Sequence, residues 1–264
     1  LKEDAKRHGI TVLNPDINHS RKRCTIMNEA LLLGLRYVRG MGDAVASQVV
    51  SVRDQGGPFE SLADAMERSG LQREAIENLV TAGAFDTLNA GTVELERKTD
   101  RRQALWEVGL RYRAINTQQP LPLPVEQDMT ELPEQSQWET MGEEYRILGL
   151  YPEGHLMAMA RPYLRREILS SRDIEAKYDG DIVTVAGLVI RRQRPLSKAV
   201  FLTLEDEFGH IPLVVWPDEF AKYRQLIREP LLIIRGEVSR RDGTMNIVTK
   251  HVETMPLIKN LPKA

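Results

Sequence analysis

The 264-residue sequence contains a single cysteine, Cys24, and only 6% aromatic residues. One cysteine cannot form a disulfide within the chain and cannot build a cysteine-rich zinc site. Its simplest role is that of a small buried apolar residue. Because so low a cysteine content suits a reducing compartment, we expect a cytoplasmic protein.

Long apolar segments and the motifs of common catalytic sites are missing as well. Apolar runs such as Leu213–Trp216 and Leu231–Ile234 are far too short to cross a bilayer, and the first residues do not resemble a signal peptide. The five histidines are dispersed without metal-ligand spacing, and no glycine-rich loop ends in Gly-Lys-Ser or Gly-Lys-Thr. No acidic pair stands in the strand context that two-metal nucleotidyl transfer requires. We therefore expect no catalytic residue, metal site or membrane contact in this chain.

Charge is distributed unevenly along the chain, although the net charge is only −2. Residues 1–117 hold 17 basic and 16 acidic residues, residues 118–180 hold 6 and 12, and residues 181–264 hold 13 and 10. A small negative total does not argue against nucleic acid as a partner, because local groups of basic residues decide such binding.

The most informative segment is residues 34–53, where Gly40-Met41-Gly42 precedes an amphipathic helix. Val45, Val49 and Val52 recur at helical spacing and give that helix a buried face, and Asp43 is a suitable N-cap. Two glycines one residue apart permit a tight hairpin that exposes backbone N–H groups at a helix N-terminus, which favours phosphate. This pattern predicts a helix-hairpin-helix motif at about residues 35–53 that binds the DNA backbone without reading bases.

An ordinary helix start is the alternative, since Gly-x-Gly before a helix is common. If the hairpin binds DNA, the candidate contact residues are those in and beside the turn: Arg36, Arg39, Gly40, Met41, Gly42, Asp43 and Arg53.

A second, degenerate hairpin is predicted at about residues 71–86. Ser61 with Asp64 indicates the capped start of a short helix, and an amphipathic helix follows over Leu71–Ala82. The latter ends at Ala82-Gly83-Ala84, where Gly83 suits a left-handed position. Together the two hairpins would form an all-α domain over residues 1–117, although an ordinary helical pair fits the second pattern equally well.

Residues 118–165 change in character and are predicted to be a linker or surface strap. Pro120, Pro122, Pro124 and Pro133 prevent a regular helix, and residues 126–144 carry seven acidic and no basic residues.

The last segment, residues 166–264, reads as β-strands. Strands are predicted at Asp181–Arg192, Ala199–Asp206, His210–Trp216, Leu231–Ser239 and Thr244–Glu253, with a helix from Pro217 to about Ile227. Three strands, a helix and two strands are the order of a five-stranded OB-fold barrel. The predicted fold class is therefore multidomain α+β, with a tandem helix-hairpin-helix domain before an OB-fold.

Basic residues cluster in the two loops that border the ligand-binding face of an OB-fold. The loop after the first strand and the loop before the last strand supply the candidates, namely Arg191, Arg192, Arg194, Lys198, Arg240 and Arg241. Strand alternation favours Phe201 as an exposed ring that could stack on a base, whereas Trp216 is assigned to the barrel core.

Several of these motifs, in this order, resemble the C-terminal region of bacterial DNA polymerase III alpha subunits, the C-family polymerases. The resemblance rests on Gly34-Leu35 with Gly40-Met41-Gly42, on Asn14–Ser20, on Ala82–Asp86, on Arg161–Leu164 and on Phe201–Asp206 with Val214–Pro217. It implies a parent template-directed nucleotidyltransferase that uses magnesium and whose catalytic aspartates lie upstream of Leu1. It further implies that the hairpins hold the primer–template duplex, that the OB domain contacts single-stranded template, and that this segment itself is not catalytic.

Within that family, Arg101–Trp106 is most similar to the error-prone paralogue used in damage-induced translesion synthesis. Gln119–Pro124 occupies the place of the clamp-binding peptide of replicative relatives but has internal prolines and no phenylalanine, so direct sliding-clamp binding is not expected. Mutasome accessory proteins are the partners that the resemblance implies besides DNA. A protein-interaction module that docks such partners, with little DNA affinity of its own, is the alternative hypothesis.

Overall fold

A computed structural model describes residues 2–88, 100–115, 132–133, 135–195, 199–241 and 243–255. The chain divides into two compact units, and the boundary falls between Glu153 and Gly154. This boundary lies inside the segment 118–165 that was predicted to be a linker. The proline-rich part of that segment, residues 118–131, is outside the described residues.

The first unit is helical and carries a small sheet. Its elements are α1 (Lys2–Arg7), β1 (Val12–Leu13), β2 (Thr25–Met27), β3 (Ala30–Leu32), α2 (Asp43–Gly56), α3 (Leu62–Ser69), α4 (Arg73–Thr81), α5 (Arg101–Ile115) and α6 (Gln137–Leu148). Strand β3 lies between β1, to which it is parallel, and β2, to which it is antiparallel. The helices of the predicted hairpin domain are therefore joined by three short strands.

Helix α6 extends the first unit well beyond residue 117. Its Ile147 and Leu148 are buried in the same core as Val49, Leu79 and Phe85. Ser136 and Glu139 form a capping box at the start of the helix, and Gly149 ends it in the left-handed conformation. The acidic residues of 139–144 thus belong to a packed helix and not to a free strap.

Charged side chains fasten α5 and α6 to the core of the first unit. The guanidinium of Arg101 binds Asp86 and Glu144 with N–O distances of 2.6 and 2.7 Å. Glu144 is fully buried and also accepts a hydrogen bond from the Asn14 amide at 2.7 Å. Burial raises the pKa of Glu144, and the charge of Arg101 opposes that rise.

The second unit is a closed barrel with short helices. It contains α7 (Leu156–Ala160), β4 (Ile168–Leu169), α8 (Ser171–Glu175), β5 (Ile182–Gln193), β6 (Val200–Glu205), β7 (His210–Val215), α9 (Pro217–Tyr223), β8 (Leu231–Arg241) and β9 (Thr244–Thr254). The sheet order is β4-β5-β6-β7-β9-β8, and an additional pairing of β5 with β8 closes the barrel. Strands β5 to β9 with α9 between β7 and β8 confirm the predicted OB-fold.

Alternation along the strands separates the barrel core from the outer face. On β7, Ile211, Leu213 and Val215 are fully buried with Leu202 and Leu204 of β6. Residues between them point outward, as expected from the period of two in a strand. No helix of the described residues is long and apolar enough to span a membrane.

Candidate nucleic-acid interface

The first hairpin has the backbone geometry that the sequence predicted. Gly40 has a φ of +79°, which L side chains rarely adopt, and the N–H of Gly42 donates to its carbonyl oxygen at 3.2 Å. Gly42 is the N-cap of α2, so Asp43 is the first helical residue and not the cap. The first N–H groups of any helix lack an intrahelical acceptor, and at α2 no side chain of the N-cap residue binds them.

Gly42 differs from Gly40 in what a side chain would meet. Its φ of −64° is ordinary, and a Cβ built on it would have no heavy atom within 4 Å. The protein itself therefore does not need glycine at position 42, whereas the backbone conformation at position 40 does. Close approach of a ligand would explain the missing side chain at position 42.

A second glycine turn faces the same groove as the first. Gly70 is left-handed with a φ of +57° and joins α3 to α4, and Gln72 precedes α4 without a side-chain cap. The groove has a volume of about 710 Å³ and is lined by Gly40, Val45, Gln48, Gly70, Leu71 and the first residues of α4. The amide of Asn78 on α4 donates to the Arg39 carbonyl at 3.0 Å and ties the two turns together.

The turn at Ala82–Ala84, predicted as the second hairpin, is not available to a ligand. Ala82 and Ala84 are fully buried, and a Cβ on Gly83 would overlap the side chains of Arg101 and Asn14. Gly83 does adopt the predicted left-handed φ, +80°. The interface-facing turn of the second hairpin is therefore at Gly70, and the predicted range 71–86 begins just after it.

Cations gather around the N-terminus of α2, and two of them, Lys22 and Arg23, were not predicted. The carboxylate of Asp43 pairs with Arg36 at 2.6 Å and with Lys22 at 2.8 Å. The hydrogen bond from Lys22, with the nearby charges of Arg36 and Arg23, lowers the pKa of Asp43. Lys22 and Arg23 come from the basic run at residues 21–23, which precedes β2 and is brought here only by folding. Arg39 is exposed and has no ion pair with any described residue.

Two predicted contact residues of the first hairpin are structural instead. Arg53 is only 7% exposed, and its guanidinium donates to the carbonyls of Ile17 and Ser20 at 2.9 Å. Met41 is buried in the core of the unit. Arg53 is held by carbonyls of the preceding segment, and Met41 packs in the core just before α2 begins, so neither side chain is placed to reach a phosphate.

Aromatic side chains stand on the outer face of the barrel. Phe201 is 43% exposed, as predicted from alternation. Trp216 is 52% exposed, so its assignment to the barrel core was wrong. It comes directly after Val215, the last residue of β7, and is the N-cap of α9; continuing the alternation of buried Leu213 and Val215 by one residue would have predicted its exposure.

The basic residues of the two OB loops fall into two groups. Arg192 donates to the carbonyls of Ile227, Arg228 and Glu229, and Arg240 donates to those of Lys177 and Glu175. These two arginines therefore hold backbone in place. Arg194 lies over the ring of Phe220 at 4.8 Å, whereas Arg191 and Arg241 are exposed. Lys198 lies outside the described residues.

The arrangement suits a polyanion with exposed bases better than a small substrate. Open helix N-termini and exposed arginines accept phosphate, and exposed rings accept base faces. Across the described part of the chain, no group of three or more His, Cys, Asp or Glu side chains could hold a metal ion. Fold and site together define a protein class that pairs helix-hairpin-helix turns with an OB barrel.

Comparisons with known proteins agree with that class and narrow it. A helix-hairpin-helix motif model matches residues 9–95, and a model for the OB-fold nucleic acid binding domain matches residues 183–255. An error-prone DNA polymerase of Sinorhizobium medicae is 35% identical over 96% of this chain, and one of Mycolicibacterium paratuberculosis is 34% identical over 97%. The chain is therefore similar to error-prone DNA polymerases, and it spans about a quarter of these relatives, 25% and 23% of their lengths.

The similarity to solved structures covers about a third of the chain. Asparaginyl-tRNA synthetase from Pyrococcus horikoshii, complexed with asparaginyl-adenylate, is 25% identical with a TM-score of 0.30. The similarity covers 34% of this chain and 23% of that one.

Proposed function

We propose that this chain positions DNA for an error-prone DNA polymerase that acts in damage-induced translesion synthesis. In this proposal the first unit, with its hairpins, binds the backbone of the primer–template duplex, and the second unit, the OB barrel, contacts single-stranded template. The observation that carries it is the groove that both glycine turns line together with the uncapped N-terminus of α4.

Phosphate is the chemical group that fits the first unit. A helix N-terminus carries partial positive charge, and its free N–H groups donate to an anion without reading sequence. Arg36, Arg39 and Lys22 add full charges beside the first turn. Two such turns on one groove would contact two points of a duplex backbone.

Unpaired nucleotides are the group that fits the second unit. Phe201 lies on the sheet face, and Arg191 and Arg241 at the loops that border it can meet phosphates.

The chemistry of the parent enzyme is proposed to lie elsewhere in that protein. There, catalytic aspartates and magnesium would carry out nucleotidyl transfer, and this chain would have no catalytic role. We further propose a cytoplasmic setting and mutasome accessory proteins as partners. Direct binding to the sliding clamp is not part of the proposal.

Substitution of Gly42 tests the proposed role of the first hairpin. Gly42→Val adds a side chain where the protein leaves space, so folding stability should fall only through the poorer N-cap, by up to about 1 kcal/mol, while duplex affinity falls about tenfold or more. Fluorescence anisotropy of a labelled primer–template, at two salt concentrations, measures this. Ser51→Val, an exposed position two turns along α2, is the matched control and should bind as the parent chain does.

Absence of binding to primer–template at low salt would contradict the proposal, because phosphate contacts strengthen as salt falls. The protein-interaction alternative is separated by Arg191→Glu with Arg241→Glu, which spares Arg192 and Arg240 and hence the backbone that they hold. If that variant keeps its DNA affinity but loses its protein partners, the alternative is the correct one.

A further inference from the structure

Each of the two glycine turns in the first unit is hydrogen-bonded to the helix that follows the other turn. Gln48 on α2 donates from its side-chain amide to the Ser69 carbonyl at 2.6 Å. Asn78 on α4 donates in the same way to the Arg39 carbonyl at 3.0 Å. Ser69 and Arg39 each stand directly before the left-handed glycine of their turn. The two hydrogen bonds are therefore reciprocal.

The two donors occupy equivalent places in their helices. Gln48 is the sixth residue of α2, and Asn78 is the sixth residue of α4. The next residue of each helix, Val49 or Leu79, is fully buried in the common core. Each amide thus stands beside a residue through which its helix packs, and it reaches from there to the turn of the other hairpin.

These hydrogen bonds set the register of the hairpins more strictly than the core does. Apolar packing has no directional preference, so Val49 and Leu79 hold the helices together without demanding one exact offset between them. A hydrogen bond is lost once its donor and acceptor lie more than about 3.5 Å apart, so a relative shift of about 1 Å would break either amide bond. The reciprocal pair therefore fixes the spacing between the two turns.

The main chain of Arg39 is held at both of its polar atoms. Its N–H donates to the carbonyl of Ile147, near the end of α6, at 3.0 Å, while its carbonyl accepts from Asn78. A Cβ at Gly40 would lie 3.4 Å from the same Asn78 amide, so that amide packs against the turn itself. The exposed side chain of Arg39 is thus presented from a fixed backbone.

We propose that Gln48 and Asn78 are positioning residues that hold the two glycine turns at one fixed spacing, so that both meet the same duplex backbone. This inference rests on the proposed function of the first unit and names the side chains that make its two contact points act together. Two contacts at a fixed spacing bind more tightly than two that must first be ordered, because ordering opposes binding.

Duplex binding by the whole chain tests this role with two variants that remove a donor but roughly keep its shape, Gln48→Met and Asn78→Leu. Each should weaken the binding of a labelled primer–template about fivefold and reduce its salt dependence, because one turn loses phosphate contacts. Fluorescence anisotropy at several salt concentrations measures both quantities. The matched control is Gln55→Met, since the Gln55 amide donates to Ser51 of the same helix; it should bind as the parent chain does.

Gly42→Val supplies the readout that a purely structural role would not move. When the first turn is blocked, only the second turn binds, and the spacing between the turns no longer matters. Asn78→Leu should therefore weaken binding less than about twofold in the Gly42→Val background, against about fivefold in the parent chain. Thermal unfolding shows whether a variant has lost its fold, and Gln48→Met, at an exposed position, gives the same comparison if Asn78→Leu does not fold.

The outcomes separate the positioning role from the function on which it rests. The role is wrong, and the proposed function stands, if the parent chain binds the duplex and both variants bind equally well. The same conclusion follows if their losses multiply in full with that of Gly42→Val, or if Gln55→Met is equally impaired. If the parent chain does not bind primer–template at low salt, the proposed function fails and the positioning role with it.

Discussion

At the scale of single residues, the arginines of this chain divide into two kinds. Arg53, Arg192 and Arg240 donate hydrogen bonds to backbone carbonyls of the protein. Arg39 and Arg241 are exposed, without an ion pair to a described residue. Sequence position alone cannot distinguish the two kinds, because the accepting carbonyls lie 33 to 65 residues away in the chain.

Substitution of Arg53 and Arg39 should therefore give opposite phenotypes. Arg53→Met leaves two carbonyls without a donor inside the protein, so we expect a loss of roughly 2–4 kcal/mol in the free energy of unfolding. Arg39→Met should leave that free energy within about 0.5 kcal/mol but weaken duplex binding and reduce its salt dependence. Denaturant titration and anisotropy measure the two quantities; unchanged stability in Arg53→Met would show that its hydrogen bonds contribute little.

At the scale of elements, helix caps make the stability of the folded chain depend on pH. Asp173 lies at the third position of α8, and a hydrogen bond from the Ser170 hydroxyl lowers its pKa. Asp64 in α3 and Glu139 in α6 have lowered pKa values for the same kind of reason: the N–H of Glu60 binds Asp64, and the N–H and hydroxyl of Ser136 bind Glu139. A carboxylate whose pKa is lower in the folded state stabilises the protein above its ordinary pKa, about 4, and ceases to do so as pH falls.

Ser170→Ala should remove part of this pH dependence from the second unit. We expect a loss of about 1 kcal/mol at pH 6 and a smaller loss at a second pH low enough to protonate Asp173, where the capping box is already weakened. Thermal unfolding of both proteins at the two pH values tests this. Ser136→Ala is the parallel case in α6 and should act on the first unit instead; equal losses at both pH values would contradict the role of the carboxylate.

At the scale of the whole molecule, two separate cores support two separate surfaces. One core holds the helices that present the glycine turns, and the other fills the barrel beneath Phe201 and Trp216. Among the described residues no element contributes to both cores, so each surface is supported by its own core.

A double variant should show this independence in its affinities. Gly42→Val with Phe201→Leu is expected to lose, on a primer–template with a single-stranded overhang, the product of the two single losses within about a factor of two. On single-stranded DNA it should behave as Phe201→Leu alone. Anisotropy titration of the parent chain, the two single variants and the double variant completes the cycle. If Gly42→Val alone weakened the binding of single-stranded DNA, one continuous site would span both units.

Much of the architecture could be predicted because its signals are local. The start of α2 at Asp43, the cap of α3 at Ser61 and the five barrel strands follow from glycine turns, capping residues and alternation within a few positions. The residues of the candidate site were harder to predict from the sequence. Burial of Arg53 and the gathering of Lys22 at α2 depend on contacts between distant segments, which no short pattern reports.

Two errors had signals that were present in the sequence. Helix α3 ends at Ser69 and α4 begins at Arg73, so Gly70 lies in a short turn between two helices. A glycine in such a position indicates the second turn. Trp216 is the residue after Val215, which is buried, so the alternation along β7 predicts an exposed residue at this position. In both cases a strong neighbouring pattern, the glycine at position 83 and the apolar run ending at Trp216, favoured the wrong assignment.

The ion pairs of Asp43 have a consequence for how the hairpin would exchange one anion for another. Lys22 and Arg36 already neutralise a carboxylate at the mouth of α2, so an arriving phosphate displaces a tethered anion from them. Fewer ions from solution are then released by these two cations than by an open one such as Arg39. The salt dependence of duplex binding would thus be weaker than the number of cations at the surface suggests. Before DNA binds, the carboxylate of Asp43 also reduces the repulsion between these cations.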